Sequence, residues 1–232
     1  MTESTSSTRE GSGAVTDHPS LIVFDLDGTL ADSQAGVLHS FTLTLADFGH
    51  SASAETLRDL IGPPLSVSFT RLGFVGDDVD VAVTRYRTYY DRDGVDMSHL
   101  YDGIAEMLGA LRDHGVDLAV ATSKRIDFAR RMLRNLGIEG FFPVICGAAL
   151  DGTLNTKREV LQETLRLVRP RPPREVWMLG DRREDVRAAI FHSVVSVGAL
   201  WGYGGRAELE DGGATILVTD PSDVLRVLYP NQ

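Results

Sequence analysis

Five or six short apolar segments recur along this chain, separated by stretches with helical periodicity. The segments are rich in Val, Ile and Leu and show no polar alternation, which is typical of strands buried on both faces. They begin at Leu21, Val116, Pro143, Glu175, Val194 and Thr215. Alternating strands and helices predict an α/β fold with a doubly wound parallel sheet, and such a sheet binds ligands at the carboxyl ends of its strands.

One interval interrupts this alternation. Between Asp32 and about Tyr101 the sequence contains helical patterns and no strand candidate. About 70 residues is too long for a simple connection and predicts a small inserted helical domain. We therefore predict a core of residues 19–32 and 102–232 and a helical insert of residues 33–101. An insert at the carboxyl end of the first strand would lie over the ligand site and exclude water from it.

The remaining composition excludes several classes of protein. Residues 1–18 are mostly Ser, Thr and Gly, so we expect a flexible tail. No segment matches a signal peptide or a membrane-spanning helix, which predicts a cytoplasmic protein without a membrane partner. The formal net charge of −10 disfavours binding to nucleic acid phosphates.

Two carboxylates follow the first predicted strand. Asp25 and Asp27 are two residues apart, so in an extended chain both side chains face the same way. Two such anions repel each other unless a cation lies between them or one carries a proton. The alternative interpretation is a simple Asp-Gly turn beside a chance aspartate.

Further polar residues favour the functional interpretation. Thr122 and Ser123 follow the second long strand, Lys157 begins a helix, and Asp181 follows another strand with Asp185 four residues later. These positions are strand ends or helix starts, where this fold class holds its ligands. A hydroxyl, an ammonium group and several carboxylates together suit a phosphoryl group. Lys157 and Asp185 could instead be solvated helix residues.

Four motifs in this order resemble the haloacid dehalogenase (HAD) superfamily of phosphohydrolases. They are FDLDGTLADS from Phe24, AVATSK from Ala119, Lys157, and MLGDRREDV from Met178. The helical insert is similar to the small cap that this family carries after its first motif. The resemblance therefore implies a Rossmann-like HAD core with a helical cap domain.

Three other segments resemble a narrower branch of the family, that of phosphoglycolate phosphatase and 5′-nucleotidase-like enzymes. These segments are IGPPLSVSF from Ile61, ALDGT from Ala149 and ALWGYGG from Ala199. Relatives often carry a basic residue just after GPPL, whereas this chain continues with Ser66, Val67 and Ser68. This difference weakens phosphoglycolate as the expected substrate. Four arginines of the insert are candidates to face the site instead: Arg58, Arg71, Arg85 and Arg87.

The resemblance implies a phosphatase whose nucleophile is Asp25, which would become an aspartyl phosphate. It implies that Asp27 protonates the leaving oxygen and then activates water. Thr122 would bind a phosphate oxygen with help from the Ser123 backbone amide. Lys157 would neutralise both Asp25 and the phosphate.

The resemblance also implies a Mg²⁺ cofactor. Asp181 would bind the ion beside Asp25 and the carbonyl oxygen of Asp27, and Asp185 would orient metal-bound water. The expected substrate is a small phosphorylated metabolite, and the expected assembly is a monomer or a homodimer.

Three other functions share parts of this pattern. A phosphomutase carries the same motifs and differs mainly in how the cap admits water. A dehalogenase uses the same nucleophile without an acid at Asp27 or a cation at Asp181. A receiver-type signalling module also combines Asp, Thr, Lys and Mg²⁺, but it accepts phosphate after its third strand and has no helical insert after its first.

Overall fold

The computed structural model describes residues 18–150, 153–168, 172 and 175–230, so residues 1–17 of the expected tail lie outside the described residues. The strands are β1 (Leu21–Phe24), β2 (Ala31–Asp32), β3 (His99–Leu100), β4 (Asp117–Arg125), β5 (Val144–Ala148), β6 (Val176–Gly180), β7 (Val195–Ala199) and β8 (Ile216–Val218). The helices are α1 (Gln34–Asp47), α2 (Ala54–Arg58), α3 (Leu65–Arg71), α4 (Asp77–Arg92), α5 (Ile104–Asp113), α6 (Ile126–Asn135), α7 (Lys157–Leu167), α8 (Arg183–Phe191), α9 (Arg206–Gly212) and α10 (Pro221–Leu228).

Six of the strands form one parallel sheet in the order β5-β4-β1-β6-β7-β8. The strand order reverses beside β1, because β4 and β6 pair with its two edges. Ligands of doubly wound sheets bind at such a reversal, outside the carboxyl ends of the strands. The prediction of a doubly wound parallel sheet is confirmed, and each of the six apolar segments contains one of its strands.

Helices cover both faces of the sheet, which explains the lack of polar alternation in β1. Leu21 and Val23 pack in a cluster with residues of α7 and α8. Ile22 and Phe24 point to the other face and pack in a larger cluster with residues of α5, α6 and α10. All four side chains are at most 1% exposed. Burial on both faces thus requires an apolar residue at every position of this strand.

The segment between β2 and β3 is helical, as expected, and contains α1 to α4. Its core is aromatic: the Phe41 ring lies 5.3 Å from that of Phe69 and 4.7 Å from that of Tyr86. Gly36 allows the start of α1 to approach the end of the insert, because a Cβ at this position would lie 2.0 Å from the Gly94 carbonyl oxygen. These aromatic residues belong to the same buried hydrophobic cluster as Ile22 and Phe24, so the insert packs against one face of the core sheet.

One feature of this region differs from the sequence prediction. His99–Leu100 is a strand that pairs antiparallel with Ala31–Asp32, although no strand was expected in this interval. A two-residue ribbon is too short to produce a periodic pattern, and it forms because the two connections to the insert run side by side. The domain boundaries at residues 32 and 101 stay a prediction.

Among the described residues, no helix combines the length and the apolar character that crossing a lipid bilayer requires.

Candidate active site

Asp25 directly follows β1 and lies in the middle of the sheet edge. Its backbone N–H donates to the Leu179 carbonyl oxygen at 2.9 Å, which holds the residue in line with the neighbouring strand. The side chain is 10% exposed and lines a cavity of about 580 Å³ between the sheet edge and the helical insert. A carboxylate in this position is fixed by the sheet and still open to a ligand.

Lys157 lies against this carboxylate because a capped helix begins there. The Thr156 hydroxyl accepts from the Glu159 backbone N–H, and the Glu159 carboxylate accepts from the Thr156 N–H, which forms a capping box. Lys157 is the first residue of α7, and its Nζ lies 2.5 Å from an Asp25 oxygen and 2.9 Å from an Asp185 oxygen. One buried ammonium group therefore bridges two buried carboxylates.

Asp181 completes an acidic cluster below the cavity. Oxygens of Asp25, Asp181 and Asp185 lie within 4.8 Å of one another, and all three side chains are buried. The two Asp181 oxygens accept hydrogen bonds from the Thr29 hydroxyl at 3.0 Å and the Tyr203 backbone N–H at 2.8 Å. These bonds fix the carboxylate but leave lone pairs on both oxygens.

Two glycines allow the backbone to approach this cluster. A Cβ at Gly28, where φ is +83°, would lie 2.3 Å from an Asp181 oxygen. A Cβ at Gly202 would lie 2.2 Å from the Gly28 carbonyl oxygen. Side chains at either position would displace Asp181, so the Asp-Gly turn after β1 is required by the site as well as by the turn.

The donor set of this cluster suits a hard divalent cation. It contains only oxygen atoms from three buried carboxylates, and the Lys157 ammonium group pairs with two of them, Asp25 and Asp185. Mg²⁺ prefers such oxygen ligands, and it would relieve the repulsion between the carboxylates. The residues present therefore fit the implied cofactor through Asp25, Asp181 and Asp185. The Asp27 carboxylate is not part of this cluster, and a role for its carbonyl oxygen stays a prediction.

The electrostatics of the cluster reflect its burial. Burial raises the pKa of Asp181 to about 8, with further increases from the charges of Asp185 and Asp25. Burial also raises the pKa of Asp25, to about 6, although Lys157 opposes the increase. Burial alone would lower the pKa of Lys157, but Asp185 and Asp25 outweigh it and raise the pKa above its usual range. Without a cation, the folded protein thus tends to keep a proton on Asp181 near neutral pH.

We expect the metal-free protein to lose thermal stability between about pH 5 and pH 8. Unfolding restores the ordinary Asp181 pKa of 3.8, whereas the folded value is about 8. The folded state therefore binds more protons in this window, and rising pH favours unfolding. As the pH is raised from about 5 to about 8, the melting temperature of chelator-treated protein should therefore fall by about 3 °C or more.

An Asp181→Asn variant is the control for this titration, because its amide carries no charge. Its melting temperature should depend less on pH over the same window. If parent and variant change equally with pH, the buried carboxylate at residue 181 is not the cause.

The Asp27 carboxylate binds Lys124, a contact that the sequence interpretation missed. Lys124 Nζ donates to both Asp27 oxygens, at 2.8 and 2.9 Å, and its side chain is 8% exposed. It also lies 4.6 Å from the centre of the Tyr90 ring on α4. Because Lys124 is two residues after Thr122 on β4, strand alternation could have placed both on one side.

Thr122 and Ser123 lie within the last four residues of β4, directly after the regular pairing with β5 that ends at Ala121, whereas the sequence placed them just after the strand. Thr122 is buried, its hydroxyl accepts from the Lys124 backbone N–H at 3.2 Å, and Ser123 is exposed. Both line the cavity together with Asp25, Asp27, Lys157 and Asp185. The structure thus brings the predicted site residues to one edge of the sheet, with Asp181 directly below.

The insert covers this edge, and its four candidate arginines behave differently. Arg87 lines the cavity. The other three arginines do not line the cavity. Arg58 donates a hydrogen bond to Gln34 at 3.3 Å, and Arg85 forms an ion pair with Asp47 at 3.2 Å. Arg71 is exposed.

Comparison with known proteins agrees with this arrangement. The sequence pattern that defines the haloacid dehalogenase-like hydrolases matches residues 22–199. The chain therefore belongs to the haloacid dehalogenase-like hydrolases. The resemblance inferred from the four motifs is confirmed, and so is the prediction of an enzyme of the phosphoric monoester hydrolase class.

The relatives of this chain are named for different enzymatic activities. The chain is 42% identical to the tyrosine-protein kinase PtkA of Mycobacterium tuberculosis, over 89% of this chain and 70% of the relative. It is 34% identical to a 5′-nucleotidase of Pseudomonas aeruginosa, over 89% of this chain and 94% of the relative. A crystal structure described as a predicted phosphatase from Clostridium acetobutylicum superimposes with a TM-score of 0.86 at 32% identity, covering 92% and 99% of the two chains.

Proposed function

We propose that this chain is a Mg²⁺-dependent phosphatase that hydrolyses a small phosphate monoester through a phosphorylated Asp25. The observation that carries the proposal is the buried Asp25 carboxylate, open to the cavity, with the Lys157 ammonium at 2.5 Å. A nucleophile, a balancing cation and an acidic cluster at one sheet edge are what phosphoryl transfer requires.

In the first step, an Asp25 oxygen attacks phosphorus and the bond from phosphorus to the ester oxygen breaks. Asp27 donates a proton to the departing oxygen, so the product leaves as an alcohol. Thr122 and Lys157 hold the phosphoryl oxygens, and Ser123 contributes its backbone amide. When bound by Asp25, Asp181 and Asp185, Mg²⁺ would neutralise charge on the phosphoryl oxygens.

In the second step, water attacks the phosphorus of the aspartyl phosphate and Asp27 accepts its proton. The bond between Asp25 and phosphorus breaks, which releases inorganic phosphate, restores the Asp25 carboxylate and leaves Asp27 protonated for the next cycle. Lys124 supports this cycle by fixing the Asp27 carboxylate through two hydrogen bonds. The helical cap of residues 33–101 would keep bulk water away from the phosphoryl group.

A tyrosine kinase activity is the second candidate, because a relative of that name is 42% identical over 89% of this chain. The chemistry would differ in the acceptor, with a phenol oxygen in place of water. A phosphomutase would return the phosphoryl group to an organic hydroxyl. The receiver alternative is disfavoured, since the match to the hydrolase family runs from residue 22 to residue 199.

The test follows the phosphoryl group from donor to acceptor. Purified protein with Mg²⁺ is incubated with a panel of phosphate monoesters and, separately, with γ-labelled ATP and a tyrosine-containing polypeptide. We expect repeated release of inorganic phosphate from at least one monoester. Stable label on tyrosine, without release of phosphate from any ester, would overturn the phosphatase proposal in favour of the kinase.

A further inference from the structure

Helix α4 presents one face to the cavity. Val83, Tyr86, Arg87 and Tyr90 recur at helical spacing, and all four line the cavity wall. Three of these side chains are buried apolar or aromatic groups, whereas the Arg87 side chain is charged and exposed. Asp80 lies on the same face, but it precedes Arg87 by about two helical turns, or about 10 Å along the axis. Near Arg87 this face therefore carries one charged group, the guanidinium, beside apolar and tyrosine side chains.

Arg87 lacks an anionic partner among the residues that the structure describes. The other two arginines of α4 are paired, Arg85 with Asp47 at 3.2 Å and Arg92 with Asp93 at 2.6 Å. Burial lowers the pKa of Arg87, and the nearby charge of Arg125 lowers it further, against a weaker opposing effect of Asp127. The Arg87 guanidinium thus lines the cavity without an ion-pair partner among these residues.

Arg125 on the core side of the cavity is already neutralised. Its guanidinium donates to both Asp127 oxygens at 2.6 Å and lies 4.0 Å from the centre of the Phe128 ring. Arg125 therefore cannot offer a full positive charge to a ligand, although it lines the cavity too. Arg87 remains the cation of this wall that is available to bind an anion.

Arg87 lies on the side of the site where we expect the leaving group of the substrate to bind. Lys124 binds the Asp27 carboxylate and lies 4.6 Å from the centre of the Tyr90 ring. Arg87 precedes Tyr90 by three residues, about 4.5 Å along the helix axis. In the proposed function Asp27 protonates the ester oxygen, so the leaving group extends from Asp27 past Tyr90 toward Arg87.

We propose that the substrate is a phosphate monoester whose leaving group carries a second anionic group, a carboxylate or a phosphate, and that Arg87 binds this group. This inference rests on the proposed phosphatase function and narrows its substrate class. It also supplies a basic residue on α4 where the segment after GPPL has Ser66, Val67 and Ser68. A neutral leaving group would leave the Arg87 charge without a partner.

The test compares Arg87→Gln with Arg85→Gln, a matched change on the same helix that does not face the cavity. The substrates are phenyl phosphate, which has no second charge, and 4-carboxyphenyl phosphate and hydroquinone bisphosphate, which carry a carboxylate and a phosphate. Phosphoglycolate adds a shorter carboxylate. Because each variant is compared with the parent on the same substrate, differences in leaving-group chemistry cancel.

We expect Arg87→Gln to lower kcat/KM about 10-fold to 100-fold on at least one doubly anionic ester. Its activity on phenyl phosphate should stay within about 2-fold of the parent, and Arg85→Gln should change neither. The ester on which Arg87→Gln loses more kcat/KM relative to the parent shows whether Arg87 binds a carboxylate or a phosphate. Equal effects of Arg87→Gln on all esters, or no effect on any, would overturn the inference alone. A parent protein that does not hydrolyse phenyl phosphate or any other ester would overturn the proposed function itself.

Discussion

Replacing Asp25 by asparagine is expected to abolish phosphate release, with a loss of at least about 10⁴-fold in kcat. The amide has nearly the same shape and can still accept a hydrogen bond from Lys157, but it is not a nucleophile. Because burial already raises the pKa of Asp25 to about 6, a neutral group should be tolerated there. The variant should therefore fold normally.

Phosphate release from an aryl ester with a good leaving group measures this effect. Asp47→Asn is a suitable control, since Asp47 is a carboxylate of α1 that pairs with Arg85 away from the cavity. It should retain activity, and the melting temperature of Asp25→Asn should stay near that of the parent. A folded Asp25→Asn protein with even a tenth of the parental rate, free of deamidated product, is incompatible with Asp25 as the nucleophile.

Removal of divalent cations should have the second largest effect, lowering turnover by at least about 10³-fold. Asp25, Asp181 and Asp185 form a buried, oxygen-only cluster in which Lys157 balances only part of the negative charge. A phosphoryl group would bring further negative charge to the same place, so the site without a cation should bind it poorly. Added Mg²⁺ should restore the rate.

Asp181→Asn tests whether the cation binds at this cluster. The variant should need a much higher Mg²⁺ concentration for activity, and Mg²⁺ should raise the melting temperature of the chelator-treated parent but not of the variant. Full activity of the parent after exhaustive metal removal would refute the cofactor assignment. Normal Mg²⁺ dependence in the variant would place the ion elsewhere.

The sequence predicted the sheet and the strand-end residues for a common physical reason. A parallel strand buried on both faces must be apolar along its length, so polar residues such as Asp25, Thr122 and Asp181 mark its end. The short β2 and β3 ribbon could not be predicted, because two residues carry no periodicity.

Side-chain partners were harder to predict than positions. The Lys124 contact with Asp27 depends on how far a long side chain reaches across two strands, which spacing alone does not give. Arg58, Arg71, Arg85 and Arg87 were equivalent in the sequence, because the rotation of each helix relative to the cavity is set by tertiary packing. In the insert, the ring contacts of Phe41 with Phe69 and Tyr86 are part of this tertiary packing.

In the proposed mechanism, Asp25 carries the phosphoryl group and Asp27 activates the water which removes it. The most direct measurement is rapid-quench mass spectrometry of the intact Asp27→Asn variant with an aryl phosphate. Its leaving group departs without protonation, so Asp25 should be phosphorylated while hydrolysis is slowed. We expect an added mass of one phosphoryl group, absent from the Asp25→Asn, Asp27→Asn double variant. Parental turnover by Asp27→Asn, or phosphorylated protein in the double variant after deamidation has been excluded, would contradict it.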